Sequence, residues 1–142
     1  MTRTDFDALV ARVKARRPLW FELQREAPFT DQDLADFETS LGVQLPRQYR
    51  DFLSTHGAGT FAFLKVLGLN RGTPRDLSSQ RPDLPVDFIP VADLETGDYY
   101  GYRVVDGRCE ERVSVWDHDA RTVQRTLYED FYALVAAVGL NS

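Results

Sequence analysis

The chain has 142 residues, of which 43% are hydrophobic and 27% charged, a composition typical of one globular domain and not of a disordered segment. Its 17 Lys/Arg and 22 Asp/Glu residues give a net charge of −5, which disfavours nucleic-acid binding and suits a basic protein partner. A single cysteine, Cys109, excludes an intrachain disulfide, and no apolar run approaches the ~18 residues of a membrane span or forms a signal peptide. We therefore expect a single cytoplasmic domain over residues 1–142 that binds neither membrane nor nucleic acid.

An amphipathic helix is predicted near the N-terminus, where apolar residues recur at helical spacing: Phe6, Leu9, Val10 and Val13. Thr4, followed three residues later by Asp7, is the expected N-cap. Pro18 limits the helix at its other end. The apolar segment that follows, residues 18–29, is expected to be irregular or to form a short helix.

Two more helices follow in the sequence. Thr30 and Asp33 have the spacing of a capping box at the start of the second helix, and Gly42 suits the left-handed position that ends it. Pro46 suits the first turn of the third helix, where its missing N–H costs nothing. This helix is expected to end at Gly57.

The pattern then changes to short apolar runs separated by turn residues, which predicts strands. Asp106-Gly107 is the strongest hairpin signal, because a type I′ turn needs positive φ at both central residues. Pro90 favours an edge strand or a bulge. Strands are expected over residues 60–69 (one strand or a bent pair), 88–92, 99–105, 108–116 and 122–126, with a surface loop at 70–84.

A closing helix is predicted from Phe131, Leu134, Val135 and Val138, with Gly139 as its stop. Helices first, then strands in hairpin order and a last helix predict an α+β fold. We expect an antiparallel-dominated mixed sheet that packs against N-terminal helices and a C-terminal helix.

Few residues suggest catalysis or metal binding. His118, between Asp117 and Asp119, is interpreted as part of a polar turn, since adjacent residues rarely point at one ion and a third ligand would be needed. Cys109 lies in a predicted strand without a histidine at a helpful sequence distance. We therefore expect no enzymatic activity, no metal and no cofactor.

Two polar residues of the predicted helices have structural interpretations. Glu38 is expected to cap a backbone group or to pair with an arginine such as Arg47 or Arg50, the alternative being a contribution to a site. His56 stands at a helix C-terminus, where an imidazolium interacts favourably with the helix dipole.

Negative charge is concentrated in the second half of the chain. Residues 84–119 hold nine acidic side chains against three arginines. This run indicates either a solvated sheet face or a docking surface for a cationic partner. The candidates for an acidic, aromatic binding surface are Glu95, Asp98, Tyr100, Tyr102, Glu111, Trp116, Asp117 and Asp119. A shift of one residue in strand register would invert this set, and in the alternative Trp116 and one tyrosine belong to the core.

The run over residues 37–57 resembles the E-x-x-L-G-x-x-L-P-x-x-Y-x-x-F-L-x-x-x-G signature of the SUKH superfamily, which includes a fungal cell-wall-assembly regulator and many bacterial immunity proteins. Weaker matches continue in order, so that the similarity spans about residues 30–138. The residues that match the signature are Glu38, Leu41, Gly42, Leu45, Pro46, Tyr49, Phe52, Leu53 and Gly57.

This resemblance implies a SUKH-like α+β domain that binds protein partners and is not an enzyme. The leading hypothesis is a cytoplasmic immunity protein that neutralises a cognate toxin, such as a nuclease, by direct binding. The alternative is an intracellular regulatory or scaffolding interaction domain like the fungal relative. No binding residues carry over, because the partner surface in this superfamily varies with the toxin.

Overall fold

A computed structural model describes residues 1–23, 26–68 and 84–141. The predicted loop at 70–84 lies outside these ranges, except for Leu84. The helices are α1 (Arg3–Arg16), a 3₁₀ turn (Pro18–Phe21), α2 (Asp31–Leu41), α3 (Arg47–His56) and α4 (Phe131–Leu134), which continues as a π-helical turn (Val135–Gly139). No helix in the described ranges is long and apolar enough to cross a membrane.

Within the part of the chain that the structure describes, seven strands form one sheet, in the spatial order β1-β2-β3-β4-β6-β7, with β5 paired to the far end of β4. Every pair between these strands is antiparallel, and the parallel component is an isolated bridge between Gln44 and Arg108. The predicted α+β class is therefore confirmed. The strands are β1 (Gly59–Phe61), β2 (Leu64–Val66), β3 (Phe88–Asp93), β4 (Tyr99–Val105), β5 (Arg108–Cys109), β6 (Ser114–Asp117) and β7 (Thr122–Arg125).

The caps of α2 follow the sequence signals, and three other positions differ. Pro46 is the N-cap of α3 and not part of its first turn, and Gly139 lies inside the last helical turn, which Leu140 caps. Thr30 and Asp33 form the predicted capping box, and Gly42 adopts φ 72° at the end of α2. The prediction of Thr4 as the first N-cap is wrong. Thr2 takes this role, because its hydroxyl accepts the Asp5 N–H and so starts the helix two residues earlier.

The predicted hairpin is present, but its second strand is not continuous. Asp106 and Gly107 have φ values of 53° and 74°, as a type I′ turn requires. The strand predicted over 108–116 divides into β5 and β6. The Glu110 N–H still donates to the Arg103 carbonyl of β4, and the Val113 N–H then donates to the Tyr128 carbonyl instead.

The strand around Pro90 is internal and bulged. The pairing of β3 with β4 shifts register between Pro90 and Ala92, which confirms the bulge alternative. The edge alternative is wrong, because β3 pairs with both β2 and β4.

The helices cover one face of the sheet with an aromatic core. Phe52 lies at its centre, with its ring 5.3 Å from that of Phe131 and 5.0 Å from that of Phe61. The His56 ring also packs here, 4.9 Å from Phe52, so this histidine contributes an aromatic contact to the core. A smaller cluster of Leu84, Phe88 and Trp116 forms separately from this core.

Candidate functional site

Four of the predicted acidic residues lie on two neighbouring turns at one end of the sheet. We call this set, Glu95, Asp98, Asp117 and Asp119, the acidic corner. Tyr99 is the register partner of Trp116, so the turn before β4 lies beside the turn after β6. The antiparallel pairing therefore brings together carboxylates from two separate parts of the chain.

His118 ties the two turns of the acidic corner together. Its backbone N–H donates to Asp98 Oδ1 at 2.9 Å, and its ring Nδ1 lies 2.6 Å from the same oxygen. The backbone hydrogen bond first, and then the ring hydrogen bond, lower the pKa of Asp98 below its ordinary value of 3.8. The ring hydrogen bond to Asp98 raises the pKa of His118 above 6.5. Gly97 leaves room for this ring, since a Cβ there would lie 2.9 Å from His118 Cγ.

The acidic corner also contains a grouping that is compatible with a cation. Ligand atoms of Asp98, Asp117 and His118 all lie within 4.8 Å of one another. Sequence reasoning missed Asp98 as the third member, because it lies on a different turn. Asp98 already accepts from His118, and Asp117 Oδ1 accepts from the N–H groups of Asp119 and Ala120 at 2.9 and 3.1 Å. These hydrogen bonds account for the arrangement without a metal.

The two outermost carboxylates of the acidic corner face solvent. The side chain of Asp119 is 89% exposed and that of Glu95 is 69% exposed. Asp119 Oδ1 lies 3.3 Å from His118 Nε2, and Glu95 Oε1 lies 3.5 Å from Lys65 Nζ. Exposed ion pairs of this kind contribute little stability, so both carboxylates are available to pair with another cation.

The aromatic part of the predicted surface is not exposed. Tyr102 is fully buried in the core, and Trp116 is 6% exposed and packs against Phe88. Tyr100 is half-buried, with its ring 5.9 Å from that of Tyr128. Trp116 and Tyr102 are therefore buried in apolar clusters and cannot belong to an exposed binding surface. The physical reason is that each ring packs into an apolar cluster, Tyr102 into the main core and Trp116 into the cluster with Leu84 and Phe88.

Glu111 lies apart from the acidic corner, on the segment between β5 and β6. It lines a groove of about 850 Å³ between the start of α3, β5 and the start of α4. Tyr102 also lines this groove, and its buried hydroxyl has no hydrogen-bond partner within the described ranges. The groove lining has charges of both signs, with five acidic residues, Glu111 among them, and three arginines.

The family of the chain follows from a match along most of its length. The model of the SMI1-KNR4 cell-wall family, SUKH_6, matches residues 31–135. The chain belongs to this family. The SUKH resemblance of the 37–57 run is thereby confirmed, and the match also covers the acidic corner.

A solved structure supports the fold of this SMI1-KNR4 family member. The crystal structure of a protein from Pseudomonas syringae pv. tomato superposes with a TM-score of 0.71 over 93% of this chain and 99% of that one. The two sequences are 18% identical, so the likeness concerns the fold alone. A search of curated proteins finds no significant match.

The signature residues of the family stabilise the link between α2 and α3. The Leu45 N–H donates to Glu38 Oε2 at 2.7 Å, and Arg50 Nε lies 3.3 Å from Glu38 Oε1. The expected cap and the expected arginine partner of Glu38 are both confirmed. Tyr49 is fully buried and donates to the Leu67 carbonyl at 2.6 Å, which fixes α3 to the chain that follows β2. The signature residues therefore stabilise the fold and do not by themselves identify a function.

Proposed function

We propose that this SMI1-KNR4 family member is a cytoplasmic, non-enzymatic immunity protein that binds and blocks a basic protein toxin, such as a nuclease. Family membership supports a protein of the immunity or regulatory type. The observation that carries the finer proposal is the acidic corner, where Glu95 and Asp119 stand exposed beside Asp98 and Asp117. A nuclease has a cationic cleft for phosphates, and a group of carboxylates is complementary to it.

The geometry of the acidic corner supports rapid capture of a basic surface. Hydrogen bonds from His118 hold the pKa of Asp98 low, so that this carboxylate stays charged at neutral pH. The turns are fixed by internal hydrogen bonds at Asp98 and Asp117, so little conformational entropy is lost when a partner binds. Exposed charges of one sign mainly increase the association rate, and salt weakens this effect.

The test is the association rate with the protein encoded beside this gene, measured by surface plasmon resonance from 0.05 to 0.5 M salt. The variant Glu95→Lys/Asp119→Lys should associate ~10-fold more slowly at low salt. The deficit should shrink near 0.5 M, where the Debye length is about 4 Å. The matched control is Glu22→Lys/Asp36→Lys, which makes the same charge change at exposed residues outside the acidic corner. Equal rates for the two folded variants would show that binding uses another surface.

The regulatory alternative makes a different prediction about the neighbouring gene. The family description refers to the cell wall, which favours a regulatory or scaffolding interaction domain as the second candidate. An immunity protein should restore the growth of cells that express the neighbouring gene product, and a regulator should not. Cys109→Ser should preserve this protection, because Cys109 lies in β5, outside the acidic corner, and has no histidine at a helpful sequence distance. Complete loss of protection in this folded variant would contradict the non-enzymatic proposal.

A further inference from the structure

A second surface, opposite in charge to the acidic corner, lies where the C-terminal half of α1 meets the end of the chain. It surrounds a pocket of about 430 Å³. Leu9, Val13 and Leu140 contribute apolar lining. We call this site the arginine pocket, because three further lining residues are Arg12, Arg16 and Arg17.

The three guanidinium groups have no acidic partner within the described ranges. None forms an ion pair there, whereas Arg3, Arg50 and Arg125 each do. Arg16 lies in the last turn of α1, where a cation interacts favourably with the helix dipole. That effect stabilises one charge at a helix end and does not account for three. Such a group in a chain with a net charge of −5 indicates a surface that is complementary to an anion.

Aromatic and aliphatic side chains extend the arginine pocket. Trp20 lines the pocket, and the Arg17 guanidinium lies over its ring, 5.9 Å from the centroid. Phe63, at the tip of the β1–β2 hairpin, meets Trp20 edge-on with 4.6 Å between the ring centroids. Phe63 is 59% exposed, and Leu19, next to Trp20 in the sequence, is 72% exposed. Tryptophan and arginine are among the residues enriched at the energetically dominant contacts of protein interfaces.

We propose that the arginine pocket, with Trp20 and Phe63, binds an acidic segment of a partner protein that carries an apolar side chain between its carboxylates. The apolar lining accepts that side chain, and the planar guanidinium groups around it pair with carboxylates. A protein is favoured over an anionic membrane, because the apolar part of the site is concave and the chain as a whole is acidic. This interface is independent of the toxin proposal and requires the opposite charge on its partner.

The test uses a synthetic peptide with two glutamates on each side of a phenylalanine, and a twin in which every glutamate is replaced by glutamine. Binding is followed in the full chain by the NMR signals of the two tryptophan indoles. The acidic peptide should shift the Trp20 signal and leave that of Trp116 in place, because Trp116 is 6% exposed in a separate cluster. The glutamine twin should bind at least 10-fold more weakly. No shift of Trp20 with the acidic peptide, or equal binding of the twin, would overturn the proposal.

The variant Arg12→Gln/Arg16→Gln/Arg17→Gln should weaken binding of the acidic peptide at least 10-fold. The matched control removes three exposed arginines elsewhere, Arg47→Gln/Arg108→Gln/Arg121→Gln, and should change binding less than 2-fold. Equal weakening by both variants would show that only net charge matters and would overturn the pocket. A third experiment measures binding of the protein to vesicles with 30% anionic lipid. Tighter binding to these vesicles than to the acidic peptide would identify a membrane as the occupant and contradict the proposal.

Discussion

Two buried tyrosines differ in one hydrogen bond, and this difference predicts opposite responses to the same substitution. Both side chains are fully buried in one core. The hydroxyl of Tyr49 donates to the Leu67 carbonyl at 2.6 Å. The hydroxyl of Tyr102 is buried and has no partner within the described ranges. Burial raises the pKa of Tyr102 well above 10.0, so this hydroxyl stays neutral at ordinary pH.

The free energies of unfolding should separate the two variants by about 2 kcal/mol. Tyr49→Phe removes the hydrogen bond and leaves the Leu67 carbonyl buried, which costs ~1–3 kcal/mol. The Tyr102 hydroxyl loses its hydrogen bonds to water on folding and gains none within the part of the chain that the structure describes. Tyr102→Phe removes this hydroxyl, so the free energy of unfolding should stay the same or rise by up to ~1 kcal/mol. Because ~1 kcal/mol shifts the melting temperature of a domain near this size by ~2–4 °C, the two Tm values should differ by about 6 °C.

The assay is urea unfolding at 25 °C, followed by circular dichroism, with thermal melts as a second measurement. The slope m should be the same for wild type and both variants, which shows that the unfolded states are equally exposed. A loss of 1 kcal/mol or more in Tyr102→Phe would refute the reasoning, because it would mean that the hydroxyl is hydrogen-bonded in solution. A neutral Tyr49→Phe would refute the assignment of its bond to Leu67.

Three further outcomes follow from the fold and the acidic corner. Phe52→Ala should lower the free energy of unfolding by ~3–5 kcal/mol, since the ring is 1% exposed, and a loss below 0.5 kcal/mol would contradict its place in the core. The NMR titration midpoint of His118 should lie above 6.5 and fall in Asp98→Asn, and an unchanged midpoint would contradict their hydrogen bond. The raised pKa of His118 stabilises the fold fully below pH 6.5, and this contribution is lost as the pH rises through that raised pKa. The lowered pKa of Asp98 stabilises the fold above pH 3.8, and this contribution is lost as the pH falls through that lowered pKa. Gly101→Ala should unfold at a lower urea concentration than wild type, because a Cβ there would collide with the Ile89 carbonyl, and an unchanged midpoint would contradict this strand contact.

Local signals in the sequence determined the helices, the turns and the family. A capping box needs only Thr30 and Asp33 at the right spacing, and a type I′ turn needs only Asp106 and Gly107. Both depend on backbone groups within a few residues, so neighbouring residues suffice to predict them. Glu38 could be assigned to a cap or an arginine pair because both partners, Leu45 and Arg50, lie in the short link and the helix that directly follow α2.

Tertiary structure alone decided which side chains are exposed and which charges meet. Alternation along β4 places every second residue on one face, but only the helices packed on the sheet show that Tyr102 is on the covered side. The link between Asp98 and His118 requires two turns to lie side by side, and this depends on the pairing of β4 with β6. The arginine pocket joins α1 to Leu140 from the far end of the chain. These contacts depend on long-range packing, and no periodicity of a single segment records which distant segment will cover it.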